Sequence, residues 1–219
     1  MRFLDLGMIS FEDAFRRQEE AVGAIADGRL EETVFLLEHS HVFTSGRSGD
    51  ARNLLAARDW EGNPIALVNI NRGGDVTYHG PGQLVGYPHL DLRPRCRDVH
   101  RYLRELEQTL IATASQFGVR SFRREGLTGV WTDQGKLASM GVGVRRWITM
   151  HGFALNVSTD LRYFQLINPC GMADCPMVSL SCLLGRPVAM TDVKRAFQGE
   201  FLKNEFLSAP AKVEVTTDH

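Results

Sequence analysis

Arg-Gly-Gly-Asp-Val-Thr-Tyr-His-Gly-Pro-Gly-Gln, residues 72–83, holds four glycines and one proline in twelve residues. Such a composition disfavours a helix or a central strand. Apolar runs at 65–70 and 84–92 enter and leave it, so the sequence predicts two buried strands joined by a loop. Because glycine lets main-chain N–H groups approach a ligand closely, we interpret the stretch as a ligand-binding loop, with an elaborate turn as the alternative. Four polar side chains in it could orient a ligand: Arg72, Thr77, Tyr78 and His79.

The composition of the whole chain is that of a soluble globular protein, with 219 residues, 43% of them hydrophobic and 23% charged. Its length fits a single domain. The formal net charge is -1, which implies no general attraction to nucleic acid or to an anionic membrane. The N-terminal segment lacks a signal-peptide pattern, and no apolar run approaches the roughly 20 residues of a membrane span. We therefore expect a cytoplasmic protein without nucleic-acid or membrane partners.

Hydrophobic periodicity predicts an α+β fold, in which short helices are segregated against a mixed or antiparallel sheet. A first helix is expected from the N-cap Ser10 to near Gly28, a second at 99–117, and a last one from the N-cap Thr191 to about Leu207. Strands are expected at 2–6, 33–37, from 42, at 65–70, 84–92, from 129 to a turn at 133–135, at 137–144 and at 149–157, with a further turn at 62–64. We expect one catalytic domain over residues 1–207 and a frayed tail over 208–219.

A local basic cluster surrounds the start of the second predicted helix. A solvated face is one interpretation of it, and docking of an acidic protein is the other. The cluster consists of Arg93, Arg95, Arg97, His100, Arg101 and Arg104. His39 and His41 flank the end of a predicted strand, and we expect them to be surface or hydrogen-bonding residues outside the site.

The four cysteines lie at positions 96, 170, 175 and 182, and reduced thiols are expected in a cytosolic chain. A zinc site from Cys170, Cys175, Cys182 and a histidine is an alternative. The spacings lack the C-x2-C knuckle that is typical of such sites, so no metal is predicted. Cys170 follows a proline and precedes a glycine, which predicts a sharp turn that exposes its sulfur. It is either a nucleophile or a structural cysteine.

A cysteine nucleophile needs a base or a nearby cation, because the pKa of an ordinary thiol is near 8.5. His79, His151 and Lys136 are the candidates, and their spacing does not choose between lysine and histidine. A partly buried lysine after a glycine turn could accept the thiol proton, and the ammonium group so formed would hold the thiolate.

Four motifs follow one another in this order along the chain. They are the stretch at 72–83, Gly135-Lys-Leu-Ala-Ser-Met-Gly, His151-Gly-Phe-Ala-Leu-Asn-Val and Asn168-Pro-Cys-Gly. Together they resemble the lipoyl(octanoyl) transferase family. The resemblance implies a single α+β domain similar to the catalytic domains of biotin and lipoate ligases. It also implies transfer of an octanoyl or lipoyl group from acyl-carrier protein to a lysine of a lipoyl domain. The acceptors would be lipoyl domains of 2-oxoacid dehydrogenase complexes and the glycine cleavage H protein.

In this family a cysteine is the nucleophile and a lysine activates it, and the motifs place these roles on Cys170 and Lys136. The resemblance further implies a thioester intermediate, a monomer, and no need for ATP, metal or another cofactor. The family's acyl-binding segments fall on Arg72, Gly73, Gly74, Asp75, Val76, Thr77, Tyr78 and His79, on Ser139, Met140 and Gly141, and on Gly152, Phe153 and Ala154.

Met140 and Phe153 could line an apolar acyl tunnel, or they could be ordinary core residues. Cys175 is a departure from the family pattern. An ATP-dependent lipoate–protein ligase is one alternative function. A non-catalytic relative that binds acylated carrier or lipoyl domains is the other, and the presence of both Cys170 and Lys136 argues against it.

Overall fold

The computed structural model describes residues 1–55, 59–60, 63–95, 97–168 and 175–209, and for residues 51, 59, 60, 63 and 64 it describes the main chain alone. Within these ranges the strands are Arg2–Ile9 (β1), Thr33–His39 (β2), Val42–Ser45 (β3), Asp59–Trp60 (β4), Asn63–Pro64 (β5), Ala66–Asn69 (β6), Val76–His79 (β7), Gln83–His89 (β8), Phe122–Arg124 (β9), Leu127–Thr132 (β10), Gly135–Arg145 (β11) and Ile148–Asn156 (β12).

The α-helices in the same part of the chain are Phe11–Ala26 (α1), Val99–Gln116 (α2), Leu180–Leu184 (α3), Met190–Lys203 (α4) and Glu205–Ser208 (α5). Short 3₁₀ helices lie at Ala51–Asn53 and Leu161–Leu166. None of the helices in the described ranges is long and apolar enough to cross a membrane.

A seven-stranded sheet in the order β1-β2-β8-β12-β11-β10-β9 forms the centre of the fold. β1 pairs with β2 in parallel, and the other neighbours are antiparallel. The predicted α+β class with a mixed sheet is confirmed. Successive residues of β2 point to opposite faces, because side chains alternate along a strand. Val34 and Leu36 join one core cluster, whereas Phe35 and Leu37 join another.

Helices cover both faces of this main sheet. On one face α1 packs against β8 and β12, and its N-terminus is capped by Ser10, whose Oγ accepts a hydrogen bond from the Asp13 N–H at 3.1 Å, as the sequence predicts. On the other face α2 and α4 pack against each other and against the sheet, with Leu106 and Phe197 in the core between them. The main sheet is thus buried on both sides.

A second, three-stranded sheet in the order β6-β3-β7 was not predicted as a separate sheet. Residues 76–79 form β7, an edge strand that pairs antiparallel with β3, so the expectation of a continuous loop over 72–83 is wrong in its centre. Val76 and Tyr78 of β7 pack with Phe43 and Phe164 in a core cluster of their own. This burial stabilises the strand between the glycines on either side of it.

The C-terminal helix differs from the prediction of one helix between Thr191 and about Leu207. The helix starts at Met190 and ends at Lys203. Asn204 follows it and is the N-cap of α5. The Asn204 Oδ1 accepts hydrogen bonds from the N–H groups of Phe206 and Leu207, both at 3.1 Å, and this local bonding competes with helix continuation. Of the predicted frayed tail, residues 210–219 lie outside the described residues.

Two shorter predictions also differ from the structure. The strand expected at 84–92 ends at His89, and Asp91 forms only an isolated bridge with Ile148. In the turn expected at 62–64, residue 62 lies outside the described residues, and 63–64 belong to β5.

Arg95 does not belong to a solvated basic face, so that part of the cluster interpretation is wrong. Its side chain is 3% exposed and forms a bidentate ion pair with Glu32, at 2.5 and 2.8 Å. Its Nε also donates to the Phe206 carbonyl at 2.8 Å. A buried guanidinium needs such partners, because desolvating an unpaired charge is costly. Arg95 therefore ties α5 to the residue that precedes β2 of the main sheet.

Candidate active site

A cavity lies between the main sheet, α1 and the chain from Ile70 to β7. The space in it that no atom occupies is about 470 Å³, including the part open to solvent. It is lined by Phe11, Ile70, Arg72, Gly74, Asp75, Thr77, His79, Tyr87, Ser139, Met140, Gly141, His151, Gly152, Phe153 and Ala154.

The structure brings most of the predicted acyl-binding residues of the three segments together around this cavity, but Gly73, Val76 and Tyr78 do not line it. Because side chains alternate along β7, Thr77 and His79 face the cavity while Val76 and Tyr78 face the core. The Tyr78 hydroxyl is 2.7 Å from His41 Nδ1. That the lining residues bind an acyl chain stays a prediction.

None of the predicted site residues is Phe11, Ile70 or Tyr87, and His151 was predicted only as a candidate base. Phe11 is the first residue of α1, and Tyr87 lies on β8. Their approach to the cavity depends on how α1 packs on the sheet, which local sequence patterns do not reveal.

Gly141 allows the glycine-rich loop to rest directly on β11. A Cβ atom at this position would lie 2.8 Å from the Gly73 carbonyl oxygen and 2.9 Å from Arg72 Cδ. The Gly73 N–H donates to the Val142 carbonyl at 2.9 Å, which fixes the loop on the strand. The loop thus closes one wall of the cavity through main-chain contact, as glycine permits.

Arg72 supplies a positive charge to the cavity wall. Its Nη2 donates to the Thr44 carbonyl at 2.9 Å and to Thr44 Oγ1 at 3.0 Å, and its Nη1 donates to the Gly73 carbonyl at 2.9 Å. These bonds hold the guanidinium group in one orientation beneath the loop.

Three buried histidines cluster at the cavity, and burial lowers the pKa of each. For His79, burial together with the nearby His39 and Arg72 charges lowers the pKa to about 3. Burial lowers the pKa of His39 to about 4, and burial with the Arg72 charge does the same for His151. All three imidazoles are therefore neutral at pH 7.

His39 lies closer to the site than the sequence predicts. Its side chain is buried, its Nε2 lies 2.8 Å from the Tyr87 hydroxyl, and its ring centroid is 5.7 Å from that of His79. His41 is exposed, as expected.

His151 combines burial with an unusual backbone conformation. Its φ of 57° lies in the left-handed region, in the middle of β12, and its N–H donates to Gln18 Oε1 of α1 at 2.8 Å. Such conformations in non-glycine residues cost free energy and cluster at functional sites.

Two hydroxyl groups of the wall are buried, Thr77 Oγ1 and Ser139 Oγ. Neither has a hydrogen-bond partner in the described part of the chain. Both residues line the cavity, so a polar group of a bound molecule or a water could satisfy them.

Lys136 lies three residues before Ser139 on β11 and is 2% exposed. It is not among the described residues that line the cavity. Its N–H donates to the Pro176 carbonyl at 2.8 Å, and its carbonyl accepts from the Val178 N–H at 3.0 Å. The strand that carries Lys136 is therefore paired with the chain just after the Pro-Cys-Gly motif.

Cys170 lies in residues 169–174, outside the described residues, and its role stays a prediction. The chain before residue 169 is linked to the glycine-rich loop through Asn53. The Asn168 N–H donates to the Asn53 carbonyl at 2.8 Å, and Asn53 Nδ2 donates to Asp75 Oδ2 at 2.5 Å. The chain before residue 169 is thus linked through Asn53 to the cavity loop, and the chain at 176–178 pairs with Lys136.

The structure does not test the alternative of a zinc site. Cys175 is half-buried and Cys182 is exposed. The described residues contain no group of three His, Cys, Asp or Glu side chains that could hold a metal ion. With Cys170 outside them, the expected absence of a metal stays a prediction.

Solved structures with this fold include lipoate and biotin ligases. A putative lipoate protein ligase from T. acidophilum superposes with a TM-score of 0.70 at 16% identity, over 93% of this chain and 84% of that one. A biotin protein ligase from Aquifex aeolicus superposes with a TM-score of 0.52 at 9% identity, over 93% and 68%. At these identities the likeness concerns the fold alone, and it confirms the predicted similarity to ligase catalytic domains.

Sequence comparisons are more specific. Residues 10–202 match the family model described as the lipoyl protein ligase A/B catalytic domain. An octanoyltransferase of Geobacter metallireducens is 55% identical over 201 residues, covering 92% of each chain. An octanoyltransferase of Pelobacter propionicus is 52% identical over 207 residues, covering 94% of this chain and 96% of its own. The chain therefore belongs to the octanoyltransferases within the lipoyl protein ligase A/B catalytic domain family.

Proposed function

We propose that this chain transfers an octanoyl group from the thioester of acyl-carrier protein to a lysine of a lipoyl domain, through a thioester on Cys170. Family membership and relatives named octanoyltransferases at 55% identity support the overall reaction. One structural observation carries the choice of residues. The main chain of Lys136 is hydrogen-bonded to Pro176 and Val178, so the predicted lysine lies against the chain that follows the predicted cysteine.

The first half-reaction moves the acyl group to the enzyme. Lys136 takes the thiol proton, and the Cys170 thiolate attacks the thioester carbonyl carbon. The bond from that carbon to the carrier's phosphopantetheine sulfur breaks, and the departing sulfur takes a proton from the Lys136 ammonium. One thioester replaces another, so the step is close to neutral in free energy.

The second half-reaction forms the amide. The acceptor lysine amine attacks the Cys170 thioester, a C–N bond forms, and the C–S bond to Cys170 breaks. The amine proton passes to Lys136, which restores the thiolate beside an ammonium group. Because an amide is more stable than a thioester, the sequence of steps needs no ATP. The proposed steps use no metal.

The histidines at the cavity are poor candidates for the base. The pKa of His79 is about 3 and that of His151 about 4, so each neutral imidazole holds a proton weakly at pH 7. This supports Lys136 over the two histidines that the sequence left open. The cavity, whose wall includes Met140, Phe153 and Ala154, is the proposed site of the octanoyl chain.

The donor is proposed to be acyl-carrier protein. The acceptors are proposed to be the lipoyl domains of 2-oxoacid dehydrogenase complexes and the glycine cleavage H protein. The protein is proposed to act as a monomer in the cytoplasm.

Intact-protein mass spectrometry tests this proposal. The protein is mixed with octanoyl acyl-carrier protein without ATP, beside the Cys170→Ala variant. We expect a gain of one octanoyl group in the first protein alone, and its loss when lipoyl domain is added. If octanoylated lipoyl domain forms only with ATP and octanoic acid, the protein is a ligase and the proposal fails. If the Cys170→Ala variant turns over normally, the assignment of the nucleophile is wrong.

A further inference from the structure

Trp131 lies against the side chain of Lys136. The two residues are cross-strand partners in the β10–β11 pair, and the Lys136 Nζ is 5.1 Å from the centroid of the indole ring. Trp131 is 1% exposed and Lys136 is 2% exposed. A cation within about 6 Å of an aromatic face is attracted to it, more strongly where water is excluded.

Gly129 leaves the space that the lysine side chain occupies. A Cβ atom at Gly129 would lie 2.7 Å from Lys136 Cε and 3.4 Å from Nζ. The lysine is therefore confined by its main-chain pairing with Pro176 and Val178, by the bare backbone of Gly129, and by the Trp131 ring.

The indole N–H of Trp131 makes no evident contribution to this arrangement. The Nε1 atom is buried, and the residues described by the structure offer it no hydrogen-bond acceptor. Burying an unpartnered donor is unfavourable, and phenylalanine would avoid it. Tryptophan, however, has the most strongly attracting face for a cation among the aromatic side chains. Its presence here fits a role for the ring face.

We propose that Trp131 is a positioning residue for Lys136, whose ring holds the lysine ammonium in place while Cys170 is a thiolate. The inference rests on the proposed function, since it requires Lys136 to exchange a proton with the thiol. It adds a residue on β10, outside the cavity wall and outside the four motifs, to the parts of the chain that the reaction uses.

Other charged groups lie against Trp131 and Gly129, the two residues that confine the Lys136 side chain. The Arg124 guanidinium of β9 lies 4.5 Å from the centroid of the same indole ring. Glu107 of α2 accepts from the Gly129 N–H at 2.9 Å, and its carboxylate also pairs with Arg104 at 2.7 Å and with Arg123 at 3.0 Å. In the segment at 175–178 the one titratable side chain is that of Cys175. Arg124 shares the indole ring with Lys136, and Glu107 is already paired with two arginines, so the contribution of the ring to Lys136 is measured with Arg124 in place.

The test measures the rate of iodoacetamide alkylation of Cys170 as a function of pH, with peptide fragmentation to separate it from Cys175 and Cys182. In Trp131→Leu the midpoint of the profile is expected to rise by about one pH unit, since a cation–π contact in a dry site is worth about a tenfold change in equilibrium. The kcat for octanoyl transfer should fall about tenfold, and the KM for the donor should change less than twofold. Trp131→Phe keeps a weaker ring and should show about half of the shift in midpoint.

Trp147→Leu is the matched control. Trp147 is 38% exposed at the turn between β11 and β12, where the Arg97 guanidinium lies 5.7 Å from its ring. This variant loses a cation–π contact at the opposite end of β11 from Lys136. Its pH profile of Cys170 alkylation should equal that of the unmodified protein. An unchanged midpoint in folded Trp131→Leu would overturn the inference. If Trp131→Leu does not fold, Trp131→Phe decides by the same measurement.

The same experiment separates this inference from the proposed function. Lys136→Met is measured in parallel. If its profile matches that of the unmodified protein, the role of Lys136 is wrong, and the inference falls with it. If Lys136→Met shifts the profile but Trp131→Leu does not, the proposed function stands and the inference alone is rejected.

Discussion

The two halves of strand β11 lie in different surroundings. Around Lys136 the chain is held by main-chain hydrogen bonds to Pro176 and Val178 and by the Trp131 ring. At 139–141 the same strand lines a cavity whose histidines are neutral and whose arginine, Arg72, is fixed by bonds to Thr44 and Gly73. Under the proposed function, the first half moves a proton and the second half holds the acyl chain.

This difference implies that proton transfer and acyl binding are separable in one enzyme. A change near Lys136 should alter the reactivity of Cys170 and spare donor binding. A change at the cavity should do the reverse.

Lys136→Met should have the largest effect. Methionine keeps the length and packing of the side chain, and the main-chain pairing with Pro176 and Val178 does not depend on the ammonium group. Loss of the base should lower the rate of octanoyl transfer by about a thousandfold, within the usual range for a general base. Lys194→Met, which removes an ion pair with Asp5 at 2.7 Å, is the matched control and should retain activity. A loss of less than about tenfold in Lys136→Met would contradict the assignment.

Gly141→Ala should affect the other half of the strand. The new Cβ would lie 2.8 Å from the Gly73 carbonyl oxygen, so the loop must move away from β11. A displacement of about 1 Å at a binding site can lower activity by about 100-fold. We therefore expect kcat/KM to fall by about 10- to 100-fold. The alkylation rate of Cys170 should stay unchanged, because Lys136 is untouched.

Gly199→Ala is the control for that variant, since a Cβ there meets no atom within 4 Å. Equal losses of transfer and of alkylation in Gly141→Ala would mean that the two halves of β11 are not independent.

The sequence predicted more of the cavity wall than of the helix and strand that pack behind it. Glycines and polar residues repeat in local motifs, so 72–79, 139–141 and 152–154 could be singled out without a fold. Phe11 and His39 reach the site only through the packing of α1 and β2 on the main sheet. Val76 and Tyr78 face the core because the glycine-rich stretch contains a four-residue strand, and side chains alternate along it. The glycine content of the sequence concealed this strand.

The fold class was predictable because strand and helix periods are strong along most of the chain. The second sheet was not, because β3, β6 and β7 have four residues each and pair across long stretches of chain. The burial of Arg95 also depends on a distant partner, Glu32, and a run of arginines gives no local sign of it.

The neutral histidines near the cavity predict that the free energy of unfolding falls in acid. His39 has a folded-state pKa of about 4 against about 6.5 when unfolded, so the unfolded chain binds its proton first as the pH falls. Its contribution to the free energy of unfolding is full above pH 6.5 and is lost as the pH falls toward 4. Between pH 6.5 and 5 the loss is about 1.5 kcal/mol.

Urea unfolding at several pH values measures this effect. The slope of stability against pH should be shallower in His39→Gln, which should lose about 1.5 kcal/mol less than the unmodified protein between pH 6.5 and 5. His100→Gln, at an exposed position, should keep the slope of the unmodified protein. If both variants keep that slope, His39 is not buried as a neutral imidazole.

Thr77→Val should have the smallest effect, and it should increase the free energy of unfolding. The Thr77 hydroxyl is buried and has no hydrogen-bond partner within the described ranges, so a methyl group of similar volume removes an unsatisfied polar atom. We expect a gain of about 1 kcal/mol in the free energy of unfolding. Thr132→Val is the counterpart, since the Thr132 Oγ1 donates to the Gly135 carbonyl at 3.1 Å and accepts from the Gln134 N–H at 3.2 Å, and its loss should destabilise the protein. If Thr77→Val instead raises the KM for the octanoyl donor without a gain in stability, the hydroxyl binds the donor, and the cavity half recognises a polar group as well as an acyl chain.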